Sequence, residues 1–328
     1  MTLPAFRVLR PASVEQAVRL LADAGPEATV IAGGTDVVPN LQMRLVAPRF
    51  LVDIKGLEEL RGIGFDERDG LRLGALATLA DIAASAAVER GFPVLAGAAQ
   101  SVAGPLQRNM GTLGGNLCLE TRCVWYNQSE FWRVSLGGCL KKDGDVCHVA
   151  PGGRRCWAVW SGDMAPALLT LEAELEVAGP RGRRRVPLDK FYRNDGMDRI
   201  ALEAGELVVA VRVPAAAAFR RGSYRKLRVR DSIDYPLAGV AVAMAVDAAG
   251  ICRAARLALG AVNPAPRLVP AAAERLEGKR YSPELIEEVA YEAIRTAKPL
   301  TTSASTPVYR RDMVRLYTRR ALEDLWRA

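Results

Sequence analysis

The sequence predicts an α+β protein of more than one domain, and three observations carry that prediction. Its 328 residues exceed what one small core organises. Runs of strand length are interleaved with stretches of helical period. Glycine turns at Gly33-Gly34 and Gly114-Gly115 punctuate that alternation.

In chain order, Ser13-Val14-Glu15-Gln16 is a capping-box pattern, and apolar residues at Val18, Leu20, Leu21 and Ala24 give a short amphipathic helix that stops at Gly25. Residues 28–32 read as a buried strand running into Gly33-Gly34-Thr35-Asp36, with a helix over 37–45 behind it. Strands are expected at 50–54 and 70–73, and helices at 79–85 and 94–102. A second glycine turn follows at Gly111-Thr112-Leu113-Gly114-Gly115-Asn116. Between residues 122 and 160 regular patterning disappears. After it come a helix start at Asp163-Met164-Ala165-Pro166 and a strand over 172–178. The run Arg181-Gly182-Arg183-Arg184-Arg185 reads as a solvated hairpin turn. Past an alanine-rich boundary at 214–221, strands are expected at 223–228, 238–246 and 251–260. The helix after Ser282-Pro283 presents Leu285, Ile286, Val289, Ala290, Ala293 and Ile294 to a core, and a last helix covers 311–326.

Composition narrows the function classes. Half the residues are apolar and a quarter charged, as in a globular protein. No apolar run reaches the roughly 18 to 20 residues that span a bilayer, and the N-terminus lacks the order of a signal peptide, so a cytoplasmic protein without a membrane role is expected. The net charge of +8 is spread along the chain without a nucleic-acid motif; docking of an acidic protein partner uses it better.

A glycine pair between strand and helix lets backbone N–H groups approach a phosphate, and the helix N-terminus adds partial positive charge. Two such loops, Ala32-Gly33-Gly34-Thr35-Asp36 and Thr112-Leu113-Gly114-Gly115-Asn116, are a demanding pattern, although neither matches G-x-G-x-x-G, and two ordinary tight turns give the same glycines. With these loops the chain resembles the FAD-binding medium subunits of the xanthine dehydrogenase and carbon monoxide dehydrogenase group of molybdenum enzymes. The resemblance extends to Arg10-Pro11-Ala12-Ser13-Val14-Glu15-Gln16-Ala17, to Gly162-Asp163-Met164-Ala165-Pro166, and to Tyr224-Arg225-Lys226 with Arg230 and Asp234. It implies a two-subdomain FAD-binding unit, 1–58 and 59–214, followed by a C-terminal α+β domain, 215–328. By position, Ala32, Gly33, Gly34, Thr35, Asp36 and Val37 would hold the pyrophosphate. Thr112, Gly114, Gly115 and Asn116 would form a second wall, Asp163 would contact the cofactor, and Lys226 would lie near the flavin ring, stabilising its reduced form.

Six cysteines are unevenly placed, with Cys118, Cys123, Cys139, Cys147 and Cys156 close together and Cys252 apart; in a reducing cytoplasm such clustering favours metal ligation over disulfides. Cys123, Cys139, Cys147 and Cys156 are separated by 15, 7 and 8 residues, unlike zinc knuckles or the ferredoxin run. Four thiolates bind tetrahedral zinc or a [4Fe-4S] cluster, and spacing alone does not choose. Trp125, Tyr126, Phe131, Trp132 and Trp157 are candidates for an apolar shell, or for the core that a long insertion needs to fold. Cys118 and Cys252 read as buried thiols, and His148 as a packed or exposed histidine beside a ligand cysteine.

The insertion, residues 122–160, resembles that of the β-subunit of 4-hydroxybenzoyl-CoA reductase through Thr121-Arg122-Cys123, 126–133, Cys139-Leu140-Lys141, 144–149 and Arg155-Cys156. This resemblance implies a [4Fe-4S] cluster on the four cysteines and a subunit that conducts electrons. Reduced ferredoxin would supply them, and a small [2Fe-2S] subunit would carry them to a molybdopterin-containing large subunit that dehydroxylates an aromatic acyl-CoA, in a dimer of heterotrimers. The alternatives are the flavin subunit of an oxidative molybdenum hydroxylase, a free-standing flavoprotein reductase, and a non-enzymatic scaffold or redox sensor.

Overall fold

The computed structural model describes residues 3–302 and 304–327, in which helices and three sheets are mixed as the α+β pattern predicts. Strands β1 (Arg7–Leu9), β2 (Ala28–Ile31) and β3 (Phe50–Asp53) form a parallel sheet in the order β1-β3-β2. The helix Val14–Ala24 crosses between β1 and β2, and buries Val14, Ala17, Val18 and Leu21. Ser13 caps it by accepting from the Gln16 amide at 3.2 Å, while Gln16 reaches back to the Ala12 amide rather than to Ser13. The first glycine loop therefore leaves the carboxyl end of an edge strand, where α/β sheets place ligands.

The second sheet combines β4 (Ile63–Asp66), β5 (Gly70–Gly74), β6 (Glu174–Gly179), β7 (Gly182–Pro187) and β8 (Leu207–Val213) in the order β4-β5-β8-β6-β7, all antiparallel. The arginine run corrects the expectation of a turn: the turn is Pro180-Arg181, and Gly182, Arg183, Arg184 and Arg185 lie in β7. β7 is an edge strand, and charge on an edge blunts pairing with other chains. Arg184 there forks onto Glu206 at 2.6 and 2.7 Å.

The third sheet is antiparallel, β9 (Arg221–Leu227), β10 (Ala238–Val246), β11 (Cys252–Gly260) and β12 (Arg267–Leu268), in the order β12-β11-β10-β9. The helices Pro283–Thr296 and Pro307–Arg327 cover one face, and β10 and β11 bury residues on both. The other face meets the helices Pro93–Ser101 and Met164–Thr170, so Ala241, Ala243 and Ala258 share a core with Leu95, Trp160 and Met164. Between 122 and 160 the regular helix is a single short one, Glu130–Ser135. Among the described residues no helix is long and apolar enough to cross a membrane.

Candidate functional site

The first glycine loop joins β2 to the short helix Val37–Gln42, with Ala32 following the strand and Val37 opening the helix. Gly34 has φ +75°, a conformation glycine adopts without strain. Among the described residues the amides of Gly33, Gly34, Thr35 and Asp36 find no acceptor, leaving successive donors at a helix start, a ready cradle for a phosphate. Gly33 also lies so close to the second loop that a Cβ would sit 1.7 Å from the Met110 carbonyl oxygen.

The second loop is built differently. The Leu113 and Gly114 amides donate to Ala77 and Ala75 oxygens, both at 2.9 Å, and the Gly115 amide to Thr112 Oγ1 at 3.2 Å. Its amides are thus largely consumed by the fold, and it serves as a wall packed on residues 75–77. Asn116 turns its Oδ1 to the Met164 amide at 3.2 Å, which fastens the loop to the start of the helix Met164–Thr170.

Asp163 and Lys226 come together. Lys226 Nζ stands 2.9 Å from Asp163 Oδ2 and 3.0 Å from the Ser101 carbonyl, while Tyr224 donates to Asp163 Oδ1 at 2.7 Å. Both side chains are almost wholly buried, at 2% and 3% exposure. Burial raises the Asp163 carboxyl above its usual range, against the pull of Lys226 and Tyr224. The lysine is therefore part of a buried ion pair that fixes the β9 strand to the Asp163 turn.

The four predicted cysteines converge. Cys123, Cys139, Cys147 and Cys156 line one small cavity with Trp125, Tyr126, Leu140, Lys141, His148, Val149 and Ala158. Desolvation pushes the Cys123 thiol up and the Cys156 thiol to about 11, each reinforced by neighbouring cysteines. His148 lines the cavity, its Nε2 2.7 Å from the Gly138 carbonyl oxygen and its ring against Trp125. The aromatic shell needs correcting: Trp125 and Tyr126 face the cavity, but Phe131 is 85% exposed and Trp157 lies under the Arg155 guanidinium. Cys118 and Cys252 lie outside the cavity; Cys252 is buried as expected while Cys118 is only half-buried, and desolvation pushes both thiols up to about 11.

Four residues outside the predicted site set, Asn40, Glu120, Arg122 and Arg133, tie the cavity to the first glycine loop. Asp36 accepts from the Glu120 amide and from Asn40 Nδ2, both at 3.1 Å, and stands 3.4 Å from Arg122. Arg133, 5% exposed, donates to the Met43 and Arg44 carbonyls that end the helix beginning at Val37. Residues 120–133 are thus docked along the helix that opens at the glycine loop.

Comparison with known proteins agrees with this architecture. Residues 4–216 match the family described as the FAD binding domain in molybdopterin dehydrogenase, and residues 222–325 the CO dehydrogenase flavoprotein C-terminal domain. The chain is 32% identical to the carbon monoxide dehydrogenase medium chain of Hydrogenophaga pseudoflava, with 99% of each covered. It is 35% identical to the aldehyde oxidoreductase FAD-binding subunit PaoB of Escherichia coli strain K12, over 78% of this chain and 81% of that one. The solved structure of carbon monoxide dehydrogenase from Hydrogenophaga pseudoflava that lacks the Mo-pyranopterin moiety of the molybdenum cofactor superposes with a TM-score of 0.82 at 31% identity, covering 99% of both chains.

Proposed function

The chain belongs to the FAD-binding medium subunits of the xanthine dehydrogenase and carbon monoxide dehydrogenase family, and from that premise we propose that it also holds an iron–sulfur cluster and conducts electrons for a molybdenum enzyme. FAD, when bound, exchanges electrons in pairs or singly, and the chain's part is to hold and orient it. In this reading the free amides of Gly33, Gly34, Thr35 and Asp36, with Ala32 and Val37 at the loop's ends, take the pyrophosphate. Thr112, Gly114, Gly115 and Asn116 close the opposite side, and the Asp163 and Lys226 pair braces the turn between them. The division of the chain near residues 58 and 214 belongs to the same proposal, supported by the change of sheet at each.

The observation that carries the second cofactor is the convergence of Cys123, Cys139, Cys147 and Cys156 on one cavity. A single zinc ion draws its thiolates to about 2.3 Å from one centre. Four thiolates also suit a [4Fe-4S] cluster, and the resemblance of residues 122–160 to the insertion of 4-hydroxybenzoyl-CoA reductase favours the cluster. Such a cluster supplies one-electron transfer, and the four thiols must lose their protons to bind it.

On the direction of flux, the relatives support an oxidative molybdenum hydroxylase, since those named are a carbon monoxide dehydrogenase and an aldehyde oxidoreductase. The reductive reading, a 4-hydroxybenzoyl-CoA reductase-like enzyme fed by ferredoxin, rests on the insertion alone. Both place substrate on a molybdopterin-containing large subunit and a small [2Fe-2S] subunit between it and this chain. The test is isolation of the native complex. Copurification of those two subunits supports the proposal, a chain active by itself overturns it, and turnover with an electron acceptor against turnover with reduced ferredoxin separates the two directions.

A further inference from the structure

Lys141 is a buried lysine in the insertion that neither glycine loop nor cysteine pattern explains. Its side chain is 7% exposed, and it lines the thiol cavity beside Cys139. The ammonium lies 2.7 Å from Glu120 Oε1, 3.2 Å from the Thr121 carbonyl and 2.5 Å from the Gly196 carbonyl; it also donates to the Thr121 hydroxyl and stands 4.9 Å over the Tyr126 ring. Every direction in which it can donate ends on protein, so its position is fixed. A flexible, strongly hydrated side chain is costly to bury in this way.

Among the described residues that line the cavity, Lys141 is the one lysine, arginine or carboxylate. Glu120 is 16% exposed and serves two cations, Lys141 at 2.7 Å and Arg199 at 3.7 Å. The neighbouring Arg122 is answered by Asp36, and the Asp195 carboxylate accepts from the Cys156 and Met197 amides at 3.2 and 2.9 Å and keeps its negative charge. The Lys141 charge stands against four cysteines, which together carry four negative charges once they ligate. Weakly screened, it is felt there far more strongly than at the surface.

We infer that Lys141 is the positioned countercharge of the thiol cavity and raises the reduction potential of the cluster bound there. The inference rests on the cofactor reading above and goes beyond it by assigning a tuning residue outside the ligand set. Its physical basis is charge alone. An electron added to the cluster makes the assembly one unit more negative, and a fixed cation nearby stabilises that state over the oxidised one.

The test is a dithionite titration of the anaerobically reconstituted full chain, followed by electron paramagnetic resonance of the reduced cluster, for wild type, Lys141→Met, Lys141→Arg and Glu120→Gln. The expected midpoint falls in Lys141→Met, stays near wild type in Lys141→Arg, and rises in Glu120→Gln, which frees Lys141 of its carboxylate. Opposite shifts from two members of one ion pair are something a merely structural role does not produce. An unchanged midpoint in Lys141→Met, or shifts of the same sign in Lys141→Met and Glu120→Gln, would overturn the inference. If Lys141→Met fails to fold, an unchanged or lowered midpoint in Glu120→Gln overturns it equally. A wild-type chain that takes up flavin but gives no cluster signal overturns the cofactor reading, and the inference with it.

Discussion

Replacing Lys226 with methionine isolates the cost of one buried charge. The methionine keeps most of the stem but removes the ammonium 2.9 Å from Asp163, leaving a carboxyl at 3% exposure with the Tyr224 hydroxyl as its hydrogen-bond donor and Arg228 as a more distant cation. Breaking a buried pair on one side costs about 3 to 5 kcal/mol. The structure also sets a ceiling, because Asp163 can take up a proton instead of staying charged. From an ordinary carboxyl value near 3.9, protonation at pH 7 costs about 4 kcal/mol, at roughly 1.4 kcal/mol for each pH unit. At pH 5 the same step costs about 1.5 kcal/mol. The loss in Lys226→Met should therefore be about 3 to 4 kcal/mol at pH 7 and shrink toward 1.5 at pH 5, and Asp163→Asn in the same chain should restore most of it. Urea unfolding of the wild type, the two single variants and the double variant, at both pH values, measures this. A loss below about 1 kcal/mol at pH 7, or one equally large at pH 5, would refute the reasoning.

Other expectations follow from contacts elsewhere. Gly33→Ala places a Cβ 1.7 Å from the Met110 oxygen, so the two glycine loops must part; the flavin-to-protein ratio of the purified variant should fall well below that of wild type. Arg133→Met removes the guanidinium that holds the Met43 and Arg44 carbonyls, and limited proteolysis should then cut within the insertion first, with the remainder of the chain resisting as before. Phe131→Ser should change stability by less than about 0.5 kcal/mol and leave iron content intact, since that ring is 85% exposed. The Arg184 fork holds the Glu206 carboxyl below its ordinary value. The stability it contributes is present above the unfolded value near 4.5 and lost as pH falls through the lower folded value. Glu206→Gln should accordingly narrow its gap to wild type in acid denaturation below about pH 4.5, and a gap unchanged down to the folded value would contradict this.

What could be read from the sequence tracks whether the constraint is local. The first glycine loop was legible because a strand running into adjacent glycines is a backbone requirement, and Gly34 at φ +75° is the residue that meets it. The second loop looked equivalent, but its amides are taken by residues 75 and 77, a pairing that no local pattern encodes. Charge content disguised an edge strand as a turn at Arg183–Arg185, because exposed strands at a sheet edge carry the polar composition of loops. Composition alone puts Phe131 in a shell or a core, whereas a six-residue helix turns Arg133 inward and Phe131 outward. The cysteine set was named from number and clustering. Its convergence depends on contacts such as Asp36 with the Glu120 amide, 84 residues apart, and Lys226 was recognisable without its partner, 63 residues away.

The central claim is that one chain holds two cofactors side by side. Its most direct measurement is the content of iron, acid-labile sulfide, zinc and FAD in the anaerobically reconstituted chain, beside a Cys139→Ser variant. The account predicts FAD with about four iron and four sulfide in the wild type, and a variant that loses iron while keeping flavin. Zinc in place of iron, or a Cys139→Ser chain that retains all its iron, would contradict it.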